Sequence, residues 1–150
     1  MSKQVTTIIR ADINDVAAIV PLFDQYRQFY NQQSDFSNAL NFITNRLDKH
    51  ESVIFLALKG TRSVGFVQLY PLFSSIAMKR LWVLNDLFVV EEFRGQGIGT
   101  ALVEQSKKFA KKTRAKGLLL ETAKDNIKAQ KLYERLGWKK EENVFYSLDV

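Results

Sequence analysis

The sequence predicts an α/β (α+β) fold, one mixed and mostly antiparallel sheet flanked by helices. Two patterns carry this reading. Short β-branched runs alternate with stretches whose apolar residues recur at helical spacing. An apolar strand also runs straight into a glycine-rich loop that opens a helix. At 150 residues the chain has the usual length of one domain, so residues 1–150 are expected to form a single domain.

The elements follow in order. Val5 to Arg10 is β-branched and predicts a first strand. Asp12 can cap a helix carrying Ile13, Val16, Ala17, Val20 and Phe23, with Pro21 as a kink or a division. After the aromatic residues Tyr26, Phe29 and Tyr30 and a polar break, Leu40, Ile43 and Leu47 mark a second helix over 37–49. Val53 to Leu58 and Ser63 to Tyr70 form a hairpin around Gly60. Leu81 to Val90 is a longer strand with Asp86 inside it. A helix over 97–116 follows the glycine loop, then a strand from Leu118 to Thr122 and a helix from Ile127 to Leu136, stopped by Gly137. Trp138 to Lys140 and Val144 to Asp149 are expected as final strands. The predicted order is β-α-α-β-β-β-α-β-α-β-β.

Composition removes several kinds of chemistry. The chain has no cysteine, which excludes disulfide scaffolds, zinc-thiolate sites and cysteine nucleophiles. Its single histidine, His50, lies in a charged stretch and reads as a surface residue, so neither a histidine metal site nor a Ser-His-Asp triad is expected. No metal is expected. No apolar run approaches the ~20 residues of a membrane span, and no sorting signal is visible, so cytoplasm is the default. The net charge is +6, with much of the excess in Lys107, Lys108, Lys111, Lys112, Arg114 and Lys116. No nucleic-acid motif accompanies these residues, and a solvated helix face is the simplest account.

The loop Arg94-Gly95-Gln96-Gly97-Ile98-Gly99-Thr100 carries the strongest signal. Glycines let backbone N–H groups converge without side chains between them. The start of the following helix adds partial positive charge, and the combination suits a diphosphate. The register excludes two familiar alternatives. No lysine precedes Thr100, as a Walker loop requires. The third glycine is out of step for a dinucleotide fingerprint.

Arg94-x-x-Gly97-x-Gly99 after an apolar strand resembles the acetyl-CoA motif of the GNAT superfamily of N-acetyltransferases. Downstream, Asn126-x-x-Ala129-x-x-Leu132-Tyr133-x-x-Leu136-Gly137-Trp138 is similar to that family's second signature. The resemblance covers nearly the whole chain. Leu84-Asn85-Asp86-Leu87-Phe88-Val89 looks closest to the polyamine and small-amine branch.

The resemblance implies a set of roles. The strand at Leu87 to Val90 should splay from that at Leu118 to Thr122. Acetyl-CoA, the co-substrate, should lie in the opening, its pantetheine arm pairing with the backbone near Phe88 and Val89. Its pyrophosphate should rest on the amides of Gly95, Gln96, Gly97, Ile98, Gly99 and Thr100, with Arg94 nearby. The Val89 N–H should hold the charge that develops on the acyl oxygen. An alkylamine of pKa about 10 must lose a proton, and Asp86 is the first candidate base, with Glu121 the second. Tyr133 is the candidate acid for the leaving thiolate. Asn126 contacts the pantetheine, caps the helix, or does both. Tyr26, Phe29, Tyr30 and Trp82 are candidates to line an amine pocket.

The expected activity is acetyl transfer from acetyl-CoA to a small-molecule amine by direct attack. A protein lysine or N-terminal acetyltransferase, a non-catalytic CoA-binding sensor and a nucleic-acid binder are the alternatives. A homodimer is expected, built by pairing Val144 to Val150 across subunits.

Overall fold

Residues 4–150 are described by a computed structural model. They divide into two compact units, one ending at Leu120 and one running from Glu121 to Val150.

The first unit is built on a five-stranded sheet of β1 (Thr6–Arg10), β2 (Val53–Lys59), β3 (Arg62–Ser74), β4 (Lys79–Val89) and β5 (Gly117–Leu119), in that spatial order. The pairs β1–β2, β2–β3 and β3–β4 are antiparallel, and β4–β5 is parallel. The expected mixed sheet is therefore present. The β3–β4 hairpin is longer than the apolar runs suggest, because it continues past Tyr70 through Leu72 and Phe73, whose side chains are exposed.

On one face lie α1 (Val16–Phe29) and α2 (Phe36–Asp48). Their apolar sides, among them Ile19, Phe23 and Ile43, pack with Ile54, Leu56, Phe66 and Phe88 of the sheet. Asp12 caps a short 3-10 turn, Ile13–Asp15, by accepting from the Asn14 amide while Asp15 accepts from the Asp12 amide. Pro21 lies inside α1 and does not divide it. The carboxylate of Asp24, buried on α1, accepts from the Ser34 hydroxyl and the Asp35 amide and so ties α1 to the start of α2. The other face is covered by α3 (Ile98–Lys112), whose Phe109 packs against Phe55 and Trp82. Leu102 and Val103 of the same helix are fully buried.

The β4 strand changes sides partway along. Gln68 pairs with Asp86, but the next residue of β3, Leu69, pairs with Leu84, which leaves Asn85 as an extra residue, a β-bulge. Trp82 and Phe88 are six positions apart and would share a face on a regular strand. The bulge separates them: Trp82 packs on Phe109 of α3, whereas Phe88 packs on Tyr26 of α1.

The second unit contains α4 (Ile127–Arg135), with Asn126 at its N-cap accepting from the Ala129 amide at 3.2 Å and Gly137 beyond its end at φ +92°. Two expectations fail here. Residues 138–150 form neither of the expected strands, Trp138 to Lys140 and Val144 to Asp149. A strand exists only where a neighbour takes its N–H and C=O groups, and β-prone composition does not supply that neighbour. Val144, Phe145, Tyr146 and Leu148 are accordingly exposed. The strand expected from Leu118 to Thr122 ends at Leu119, so Glu121 lies beyond β5 and not on it. No helix among the described residues is long and apolar enough to cross a membrane.

Candidate active site

The site begins where β4 loses its outer partner. β5 pairs only with Leu81, Trp82 and Val83, so β4 is unaccompanied on that side from Leu84 to Val89. The amide of Val90 points back to β3 and donates to the Val64 carbonyl at 2.9 Å. Successive residues of a strand direct their backbone groups to opposite edges. Val89 therefore presents its N–H and C=O to the open edge. Its carbonyl there accepts from Nε of Arg94 at 2.8 Å. Phe88 turns its backbone the other way, and its carbonyl oxygen lies so near Gly65 that a Cβ on that glycine would stand 2.9 Å from it. The backbone of Val89, and not that of Phe88, therefore faces the open edge.

The glycine loop follows a short 3-10 turn, Glu91–Phe93. Arg62 anchors that turn, paired with Glu92 and stacked on Phe93. Gly95 and Gly97 adopt φ of +76° and +82°, and a Cβ at either would meet nothing. Glycine is required there by backbone angle and not by space. Gly97 is the N-cap of α3 and gives the helix no side-chain cap. An uncapped helix start following left-handed glycines is a concave array of amides suited to phosphate oxygens. The loop therefore fits the diphosphate of a CoA thioester. The open edge of β4 beside it fits an extended, amide-bearing arm.

On the α1 side of β4 the bulge buries Asp86, which is 4% exposed. Gln68 Nε2 donates to Asp86 Oδ2 at 2.5 Å, and Asn85 Nδ2 donates to Oδ1 at 3.1 Å. The Tyr26 hydroxyl makes a long hydrogen bond to the Asn85 carbonyl, 3.4 Å. Burial pushes the Asp86 carboxyl above the usual carboxylate range, while hydrogen bonds from Gln68, Tyr26 and Asn85 pull it back in part. The Tyr26 and Tyr70 phenols are pushed up, first by burial and then by the charge of Asp86. This is a carboxylate held among three polar side chains in a dry place, the setting in which a base acquires affinity for a proton.

A cavity of about 380 Å3 lies between α1 and the end of β4, lined by Gln25, Gln28, Phe29, Phe88, Glu91 and Arg94. The Arg94 guanidinium lies 5.5 Å from the Phe88 ring centre and 5.7 Å from that of Phe29. Tyr26 stacks edge-on against Tyr30 and Phe88.

The structure thus gathers Tyr26, Phe29, Tyr30, Asp86, Phe88, Val89 and Arg94 in one region. It does not bring Trp82 there. Its ring lies on the α3 face and its Nε1 donates to Thr113 Oγ1 at 2.9 Å, so the tryptophan belongs to the core and not to an amine pocket. In the second unit Asn126 acts as the α4 cap, and Tyr133 lies on α4 with its ring 5.7 Å from that of Trp138. The sequence reading missed Gln25, Gln28, Gln68 and Glu91. Gln68 had a usable signal, a lone amide in an apolar strand, and only the hairpin register shows that it faces Asp86.

Comparisons with known proteins agree with this geometry. Residues 17–138 match the Acetyltransferase (GNAT) family. The chain is 47% identical over 144 residues to the uncharacterized N-acetyltransferase YhfO of Bacillus subtilis, covering 95% of this chain and 97% of that protein. It is 34% identical over 119 residues to a probable acetyltransferase of Haemophilus influenzae, covering 79% and 82%. A crystal structure of a probable acetyltransferase superposes with a TM-score of 0.91 at 39% identity, over 96% of this chain and 97% of that one. With a diphosphate-shaped loop, an open strand edge and a buried carboxylate in one unit, the chain belongs to the GNAT family and is an acyl-CoA-dependent N-acyltransferase.

Proposed function

We propose that the protein moves an acetyl group from acetyl-CoA to a primary amine of a small molecule, a polyamine, a diamine or an amino-acid-like compound, by direct attack in a ternary complex. Bound acetyl-CoA supplies the activated acyl thioester. The observation that carries the proposal is Asp86, a buried carboxylate with a raised pKa on the same strand as the outward-facing Val89 N–H.

In this reading the amides of Gly95, Gln96, Gly97, Ile98, Gly99 and Thr100 hold the diphosphate. The Val89 N–H stabilises negative charge developing on the acyl oxygen, a contribution of about 3 kcal/mol where a single such donor is removed. Asp86 accepts a proton from the substrate ammonium, directly or through a water, so that the neutral amine attacks the thioester, and Glu121 is the second carboxylate assigned to that task. Tyr133 returns a proton to the departing thiolate. Tyr26, Phe29 and Tyr30 offer aromatic faces to an ammonium, and Glu91 adds negative charge to the cavity. Arg94 fixes the end of β4 through the Val89 carbonyl and adds its charge to the positive field of the loop. We extend the proposal to a cytoplasmic homodimer.

The test is release of free thiol from acetyl-CoA across polyamines, diamines, amino sugars and lysine peptides. Release with a diamine is the expected result. Release confined to lysine peptides would transfer the acceptor class to proteins, and silence across the whole panel would overturn the small-amine reading. Tyr133→Phe should lower turnover more than it weakens acetyl-CoA binding.

A further inference from the structure

The α3 helix has a second polar face that acyl transfer does not use. Gln105, Lys108, Phe109 and Lys112 recur at i, i+3, i+4 and i+7, which aligns them in one stripe. The stripe runs along the border of the buried face: Phe109 is buried, Gln105 is half-buried, and Lys108 and Lys112 are exposed. Opposite it, Ile8 and Arg10 project from β1, the edge strand, and Arg10 pairs directly across from Phe55 of β2. Together these residues line an open-sided groove of about 240 Å3.

Its chemistry is one-sided. Phe55 and Phe109, both almost fully buried and packed edge-on, form an apolar floor with half-buried Ile8 beside it. Arg10, Lys108 and Lys112 rim it with three positive charges. None of the three makes an ion pair among the described residues, unlike Arg46 with Glu51 and Arg62 with Glu92. The Arg10 guanidinium lies over the Phe109 ring at 5.0 Å. Stacking occupies the plane of a guanidinium and leaves its edge donors open for a planar, two-oxygen acceptor. Lys108 and Lys112 repel each other across one helical turn, and an anion between them relieves that repulsion.

We propose that this groove is a second binding site, for a small organic anion with a flat apolar body, an aromatic carboxylate. Half-buried Ile8, with the edges of Phe55 and Phe109 left open beside Arg10, takes the ring, Arg10 takes the carboxylate, and Lys108 and Lys112 neutralise it. The volume is below the roughly 300 Å3 where sites for drug-sized ligands begin, so the ligand is of one or two fused rings. The site is separate from the glycine loop. Lys108 lies ten residues beyond Ile98 on α3, roughly 15 Å along the axis at about 1.5 Å per residue. A nucleic-acid backbone fits the feature less well, because it would track the outer lysines such as Lys107 and Lys111 and leave a narrow aromatic-floored groove unfilled.

The test is a titration of the 15N-labelled full chain with 2-naphthoate and with its neutral counterpart 2-naphthamide, at low salt. The expected result is saturable shifts of the Ile8, Arg10, Gln105 and Phe109 amides by naphthoate, with affinity at least tenfold above that of the amide. Arg10→Gln and Lys108→Gln should each weaken naphthoate at least threefold while thermal melting and acetyl-CoA-dependent thiol release stay as in the unsubstituted protein. Lys108 is exposed on a helix, so its variant tests the idea even if Arg10→Gln fails to fold. Equal binding of acid and amide, shifts confined to residues 95–100, or unchanged affinity in both variants would overturn the proposal. So would displacement of naphthoate by a duplex oligonucleotide that binds with a steep salt dependence. Thiol release serves as an independent readout, so failure here leaves the acyl-transfer reading intact, and failure of that reading leaves this site testable.

Discussion

Asp86 carries a carboxyl whose charged form its surroundings resist. Burial raises its pKa, and the hydrogen bonds from Gln68, Tyr26 and Asn85 offset only part of that. A carboxyl whose folded pKa is raised stabilises the protein relative to an uncharged substitute below the ordinary carboxylate range. That advantage is lost as pH rises through the folded pKa. Urea midpoints should therefore fall for the native protein relative to Asp86→Asn as pH increases from about 4, the ordinary carboxylate value. A midpoint difference independent of pH would mean that the Asp86 carboxyl binds its proton equally well in the folded and unfolded chain, and so has no raised pKa. If Asp86 is the base, the acid limb of kcat/KM lies above the ordinary carboxylate range, and Asp86→Asn loses that limb together with about a hundredfold or more in rate. The sequence made Asp86, Val89 and Arg94 legible, because each sits at a fixed offset from the glycines. It hid Gln68, whose meaning depends on a cross-strand partner. It misled on Trp82, because one extra residue upstream of Phe88 reversed the faces that simple alternation assigns.

Among the elements, the glycine loop and α3 matched their sequence signals closely, since glycine at positive φ has few substitutes. Gly97→Val should cost about 1–2 kcal/mol in stability, the penalty of a left-handed angle for a residue with a Cβ. There is space for the side chain, so the fold should survive. The first-turn amides would be turned away, and calorimetric titration should show acetyl-CoA binding at least tenfold weaker with an unchanged far-UV spectrum. Retained affinity would dissociate the loop from the diphosphate. Helices α1, α2 and α4 were readable from spacing, and Asn126 caps α4 as one of its expected roles; the Asp35 cap of α2 was not read from the sequence. Strand β5 and the two expected terminal strands were less readable. Strand formation depends on a neighbour that local sequence does not encode.

At the scale of the molecule, the order of strands and helices was legible through α4, and the chain's end was not. Val144, Phe145, Tyr146 and Leu148 are exposed and unpaired. A β-prone apolar run of this kind is a template for pairing with another chain. The homodimer proposal follows, and light scattering should give about twice the 17.3 kDa chain mass. Removal of residues 143–150 should leave a monomer. A dimer that persists after removal would require another interface.

The bulge at Asn85 gives β4 two parities. Its first half is counted toward the α3 core and its second toward the α1 core, with a single extra residue as the switch. Such a strand tolerates altered letters better than an altered count. Asn85→Ala should cost only the hydrogen bond to Asp86, since Asn85 is itself exposed. Deleting Asn85 removes less than one per cent of the chain yet forces a choice: either Trp82 leaves Phe109, or Asp86 and Phe88 turn away from Tyr26. The fold can keep its tryptophan or its carboxylate in place, but not both. Insertions and deletions between Trp82 and Phe88 should therefore be nearly absent among functional variants of this chain in a deep mutational screen, even where most single substitutions at Asn85 pass.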